Sequence, residues 1–213
     1  MQSKVIQLLI IGGTLVSWTA VAQAIDVKLT MDEAKKALAA GREPMDAANN
    51  PDDVKKVLQQ AATATRVGAD PEKEPCGANA VLRTKRYWLE SFGRQESTES
   101  KKQKHEVRMP DEKIQKILDM PNLEMSVQLC GDDEYFAEGV QVALQQGNKT
   151  IKPVDISPAD KGRKNEGQEP AYRSRFTARF AYDSFDPTAK TKVLLYFQDG
   201  KMQDFDADLS KVK

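Results

Sequence analysis

The chain has 213 residues, 32 basic and 32 acidic side chains and a single histidine, for a formal charge of zero. Such a balance gives no general attraction to nucleic acid or anionic lipid, so either kind of partner would need a local patch. A zinc site asks for several His or Cys ligands, and with one histidine the two cysteines are better assigned to each other.

In chain order, Lys4 precedes an apolar run over 5–21 that ends in Ala22-Gln23-Ala24. A charged start, a greasy middle and small residues at the −3 and −1 positions read as a secretory signal peptide cut after Ala24. Gly12, Gly13, Thr14 and Ser17 interrupt the run, and no basic stop-transfer flank follows, which argues against an uncleaved anchor. The expectation is a secreted or periplasmic protein with no stable membrane insertion after cleavage. Losing Lys4 would leave a charge of −1 on the 189 residues that remain of 213 after removal of 24, enough for one sizeable domain.

Residues 25–75 read as a helical segment and linker. Thr30 with Glu33 three residues on forms a capping box, and Gly41 is expected to close that helix. A second helix opens at Asn50 with Pro51 at its first position and Asp52 and Asp53 at its positive end. Val54, Val57, Leu58 and Ala61 give it one narrow apolar face, so both helices need to pack on something else or remain loosely attached.

The stretch 68–77 is turn-rich, and 81–92 carries Leu82, Tyr87, Trp88, Leu89 and Phe92, bulk for a strand or a strand pair. The polar run 95–108, with Lys101, Lys102 and Lys104, reads as a solvated loop. A short helix is predicted over 110–119, where Ile114, Ile117 and Leu118 share a face and Pro121 prevents continuation.

From Leu123 onward the period is two. Leu123, Met125, Val127 and Leu129 alternate with polar residues, as do Val140, Val142 and Leu144. A turn over 146–149 follows, where Asn148-Lys149-Thr150 matches a glycosylation acceptor. Beyond it come Ile151, Val154 and Ile156, with Pro153 marking an edge position. Residues 157–171 are polar without period and read as a mobile loop with a binding role or none. Phe176, Ala178, Phe180 and Tyr182 then face one way and Arg175, Thr177 and Arg179 the other, the arginines expected to pair with acids on neighbouring strands. Around Asp199-Gly200 an odd loop of three residues is preferred, aligning Val193, Leu195 and Phe197 with Ala207, Phe205 and Gln203.

Several short strands separated by turns, with no helices between them, predict a mainly β protein with N-terminal helices. The expected fold is an antiparallel immunoglobulin-like β-sandwich over 76–213, preceded by the short helical segment. Cys76 and Cys130 are the only thiols, so an oxidising compartment leaves them one pairing. Closing a loop of 54 residues restricts the unfolded chain by about 4 kcal/mol. Because Cys76 precedes the first clear strand, this bond is expected to tie the helical part or its connecting loop to the sheet and not to cross the core.

The motifs of catalysis are largely missing. No Gly-x-Ser-x-Gly, Cys-x-x-Cys or phosphate-cradling Gly-Lys-Ser/Thr occurs, and His105 lies in the lysine-rich run. No catalytic residue, metal ligand or cofactor is therefore assigned, and nucleic acid is not an expected partner. Two basic clusters, one at Arg83 to Arg86 beside Tyr87 and Trp88, are read as core and surface in preference to a stacking site. The expected function is that of an exported, non-enzymatic binding or structural protein of the cell envelope. Contact with a protein or glycan would come from sandwich-end loops, 157–171 and 95–108, with Lys161, Arg163, Lys164, Asn165 and Glu166 as candidate binding residues. The alternative is a carboxylate-based hydrolase acting on polysaccharide through Asp132, Asp133 or Glu134, which requires a cleft and a carboxyl with a raised pKa.

Overall fold

A computed structural model describes residues 25–165, 167 and 169–212. The expected signal peptide, Glu166, Gln168 and Lys213 lie outside the described residues. Ten strands form two antiparallel sheets. The first contains β1 (Arg66–Gly68), β2 (Asn79–Arg83), β3 (Asn122–Gly131), β6 (Asp155–Ile156), β7 (Arg163–Lys164) and β8 (Tyr172–Ala181) in the order β1-β2-β3-β8-β6, with β7 also paired to β8. The second contains β4 (Gln141–Gln146), β5 (Lys149–Ile151), β9 (Thr191–Tyr196) and β10 (Met202–Ala207) in the order β10-β9-β4-β5.

The order β2-β3-β8-β6 against β10-β9-β4-β5 reproduces the A-B-E-D and G-F-C-C′ sheets of an immunoglobulin-like sandwich. Period two fixes which side chains meet between the layers. Leu123, Met125, Val127, Leu129, Phe176, Ala178 and Phe180 from one sheet pack with Val142, Leu144, Val193 and Leu195 from the other, all buried. Burying each of the larger ones stabilises by about 2 kcal/mol. The loop between β9 and β10 has the expected odd length, Gln198, Asp199 and Gly200, closed by Phe197 N–H donating to the Lys201 carbonyl at 2.9 Å. Its register is two positions from the expected one, with Val193 opposite Phe205 and Leu195 opposite Gln203. A two-residue slide keeps every side chain on its face, so the periodicity alone could not tell the two registers apart.

The helical layer comes from two stretches of chain. α1 (Met31–Ala47) and α2 (Pro51–Ala64) precede β1, while α3 (Lys85–Gln103) and α4 (Asp111–Leu118) are inserted between β2 and β3. Since Arg83 pairs with Glu124 across that hairpin, the insertion leaves and re-enters the sheet at adjacent points. Ala34, Ala37, Leu38, Leu89, Ile114 and Ile117 form its separate apolar cluster. Among these helices α2 contributes no buried residue. Ile25 does not belong to this layer and lies buried in the sandwich core.

Three local expectations need correction. The helix begun at Thr30 has its capping box but does not stop at Gly41; it runs on to Ala47 through Pro44. Gly41 serves packing instead, because a Cβ there would collide with the Glu90 carbonyl, as one at Gly93 would with that of Leu38. Residues 81–92 hold only the end of β2, after which the Thr84 side chain accepts from Tyr87 N–H at 3.0 Å and starts α3. The run 95–108 is helical as far as Gln103. Its inward positions include Gly93, Glu96 and Ser97, so the buried face of this helix carries no hydrophobic period for the sequence to show.

Candidate functional site

The site grows from the outward face of β8, where Arg173, Arg175, Thr177 and Arg179 alternate with the buried row. Register decides what each meets. Arg179 stands opposite Glu124 and Asp155, and Glu124 stands opposite Arg83, so one end of the sheet carries an alternating ladder across four strands. In it Arg83 reaches Glu124 at 2.6 Å, Arg179 lies 3.6 Å from Glu124, and Arg179 also pairs with Asp155. Arg179 thus finds the acids expected of it.

Arg175 does not. Its strand partner is Gln128, whose Oε1 accepts from the guanidinium at 2.9 and 3.2 Å. Beyond Gln128 lies Asn79, which accepts from Arg66 at 2.5 Å. This row holds two arginines and two amides, with no carboxylate. Burial first, and then the charge of Arg175, hold the Arg66 guanidinium below the ordinary arginine range against a smaller opposing pull from Asp70. One step further along, Arg173 faces Cys130 on one side and Arg163 on the other.

The segment 157–171 folds over this end. It is not a free loop, because its backbone is bonded to β8, Ser157 N–H to the Thr177 carbonyl at 2.8 Å and Asp160 N–H to that of Arg175 at 2.8 Å, and within itself, Asn165 N–H to the Ala171 carbonyl at 2.6 Å. Together they enclose an open cleft of about 310 Å³ lined by Asp160, Lys161, Arg163, Lys164, Asn165, Arg173 and Arg175. Lys161 is held by Glu134 at 2.9 Å, and the bond pushes its pKa up. Among the described residues Arg163, Lys164 and Arg175 make no ion pair, so the cleft carries a local positive charge that the balanced composition conceals. The disulfide between Cys76 and Cys130, Cα–Cα 5.3 Å, anchors the turn before β2 at this same end; it does not cross the core. Arg173 also donates to the Pro75 carbonyl at 3.4 Å.

The candidate residues Lys161, Arg163, Lys164 and Asn165 are thus brought to one cleft, while Glu166 lies outside the described residues. Sequence reading did not include Arg66, Arg173 and Arg175. Alternation alone placed the last two outward, but only register shows an amide opposite Arg175 and a disulfide sulfur opposite Arg173, and a three-residue strand such as β1 leaves no periodic trace. The other proposed contact loop, 95–108, is mostly helix α3, and its exposed His105 follows the helix end.

Asp132 and Asp133 lie exposed in a turn after β3, with Asp133 accepting from Tyr135 N–H at 2.7 Å. The Lys161 ammonium holds the Glu134 carboxyl below the usual carboxylate range, the reverse of what a proton donor for sugar cleavage requires.

No family model matches the chain, and no curated protein matches it. Among solved structures, the chain is similar to an IgNAR antibody domain C1 at 10% identity and a TM-score of 0.29, over 48% of this chain and 84% of that one. The class of protein is stated by the strand order above: an antiparallel immunoglobulin-like sandwich bearing a helical layer.

Proposed function

We propose that the chain is an exported, non-enzymatic binding or structural protein of the cell envelope that contacts a protein or glycan through the sandwich end formed by 157–171. The observation that carries this reading is the cleft in which Arg163, Lys164 and Arg175 converge without ion-pair partners among the described residues. On the same strand Arg179 is committed to Glu124 and Asp155, so the two ends of β8 differ in the charge they offer a ligand. Export accounts for the disulfide, which an oxidising compartment preserves. Among the described residues no helix is long and apolar enough to cross a membrane.

A photo-crosslinking residue placed at Lys164 tests the reading in intact cells. Adducts with a defined envelope component are expected there and not from the same probe at Lys149, which lies on the opposite sheet. Equal labelling from both positions, or none from Lys164, would remove the 157–171 end as the contact surface.

A further inference from the structure

We infer that the cleft binds an acidic glycan, one whose carboxylates are separated along the chain by neutral sugar rings. The inference rests on the reading of 157–171 as the contact surface and specifies what it contacts. Guanidinium groups are planar forks matched to carboxylates, and Arg163 and Arg175 line one cleft, brought there by the pairing of β7 on β8. Exposed cations on a sheet edge would by themselves attract any polyanion. Two features narrow the choice.

The first is the depression next to the cleft. It shares Asp160 and Lys161 with it and is lined further by Glu134, Tyr135, Glu138, Gln141 and Ser157. Tyr135 is 57% exposed; the Lys161 ammonium lies 5.3 Å from its ring centroid, and the ring area left open, with its polar tip, has the character suited to a sugar face. Glu138 and Gln141 are exposed and supply acceptors for hydroxyl groups. A ligand crossing from cleft to depression therefore passes from cations to a carboxylate-bearing surface. Alternating charged and neutral rings satisfy both, whereas an acidic peptide would set further negative charge against Glu138.

The second is the short edge. β7 has only two residues, Arg163 and Lys164, too few to hydrogen-bond an added peptide strand, so peptide recognition by strand addition has no template here. Side chains must do the recognising, as they do for sugars.

The probe is a soluble oligosaccharide of alternating glucuronate and N-acetylglucosamine, titrated calorimetrically into the purified protein with its disulfide intact. Saturable binding is expected, weakening by about tenfold when salt rises from about 50 to about 200 mM. Reduction of the glucuronate carboxyls to alcohols should lower affinity by at least roughly tenfold, as should the combined substitution Arg163→Gln, Lys164→Gln and Arg175→Gln. Tyr135→Ala should weaken binding by about fivefold and leave the salt dependence unchanged. Arg163→Gln alone, at an exposed position, gives the same direction if the triple variant fails to fold. Absence of saturable binding, equal binding of poly-glutamate, or no response to the arginine substitutions overturns the inference. If the glycan fails while Lys164 still cross-links to a defined component, the ligand class falls and the contact surface stands; if cross-linking fails as well, both fall.

Discussion

The sandwich and the helical layer are held together in opposite ways. The sandwich buries large apolar side chains supplied by alternate residues of two sheets, with Phe180, Leu129, Leu144 and Leu195 almost wholly enclosed. In the helical layer, α1 and α3 cross at Gly41 and Gly93, where backbone meets backbone. Around that crossing lies a polar set: Arg42 Nη1 is 3.5 Å from Glu96 and donates to the Val107 carbonyl at 3.1 Å, Met109 N–H donates to Glu96 at 2.6 Å, and Ser97 donates to Asp46 at 2.6 Å. Area spread over many residues tolerates single changes. A crossing that depends on two missing Cβ atoms and a few buried polar groups does not.

The largest expected effect falls on the sandwich through its covalent tie. Replacing Cys76 and Cys130 by serine should lower the stability of the whole protein by about 4 kcal/mol, read from urea midpoints, because the unfolded chain regains the freedom of the closed loop. A midpoint unmoved by the double substitution would mean that the bond constrains little. Next, Gly93→Val should cost about 3 kcal/mol and fall on the helical layer. The expected signature is an early change in the fluorescence of Trp88, which packs in the helical layer, together with loss of far-ultraviolet helical signal, while the β-sheet signal of the sandwich persists. A single coincident transition would show that the two clusters unfold as one unit and erase the distinction.

The smallest effect probes the seam between them. Tyr182 N–H donates to the Pro121 carbonyl at 3.0 Å, and the Lys85 ammonium lies 5.1 Å from the Tyr182 ring centroid. Burial pushes the Tyr182 phenol up to about 12 from its usual 10.0. The folded state keeps this proton after the unfolded state has begun to release it, so its contribution is present below pH 10 and is lost as pH rises towards 12. Tyr182→Phe should leave stability at neutral pH within about 1 kcal/mol and flatten the alkaline decline. An unchanged alkaline slope in the variant would assign the decline to other groups.

How much of this was legible varied with the kind of burial. The alternation of Leu123, Met125, Val127 and Leu129, and that of Phe176, Ala178 and Phe180, gave the sheet faces directly, because one face of each strand meets the core. α3 was missed because its inward face carries Lys85, Gly93, Glu96 and Ser97, residues whose burial depends on partners elsewhere in the chain. In the candidate site, Lys161 to Asn165 could be named from local composition alone. Arg173 and Arg175 join them because β7 and the segment before it pair with β8, which is not local.

Local chemistry thus determined the capping of α1 and α2, the faces of the long strands and the one available cysteine pairing, since each depends on neighbours within a few residues or on elimination. The tertiary structure decided where a helix could replace a loop, which arginines met acids and which met amides, and that Lys161, Arg163, Lys164, Arg173 and Arg175 of a neutral chain share one cleft. Those outcomes depend on strand order and register, set by the packing of whole layers, and a short stretch of sequence carries no record of what will lie across from it.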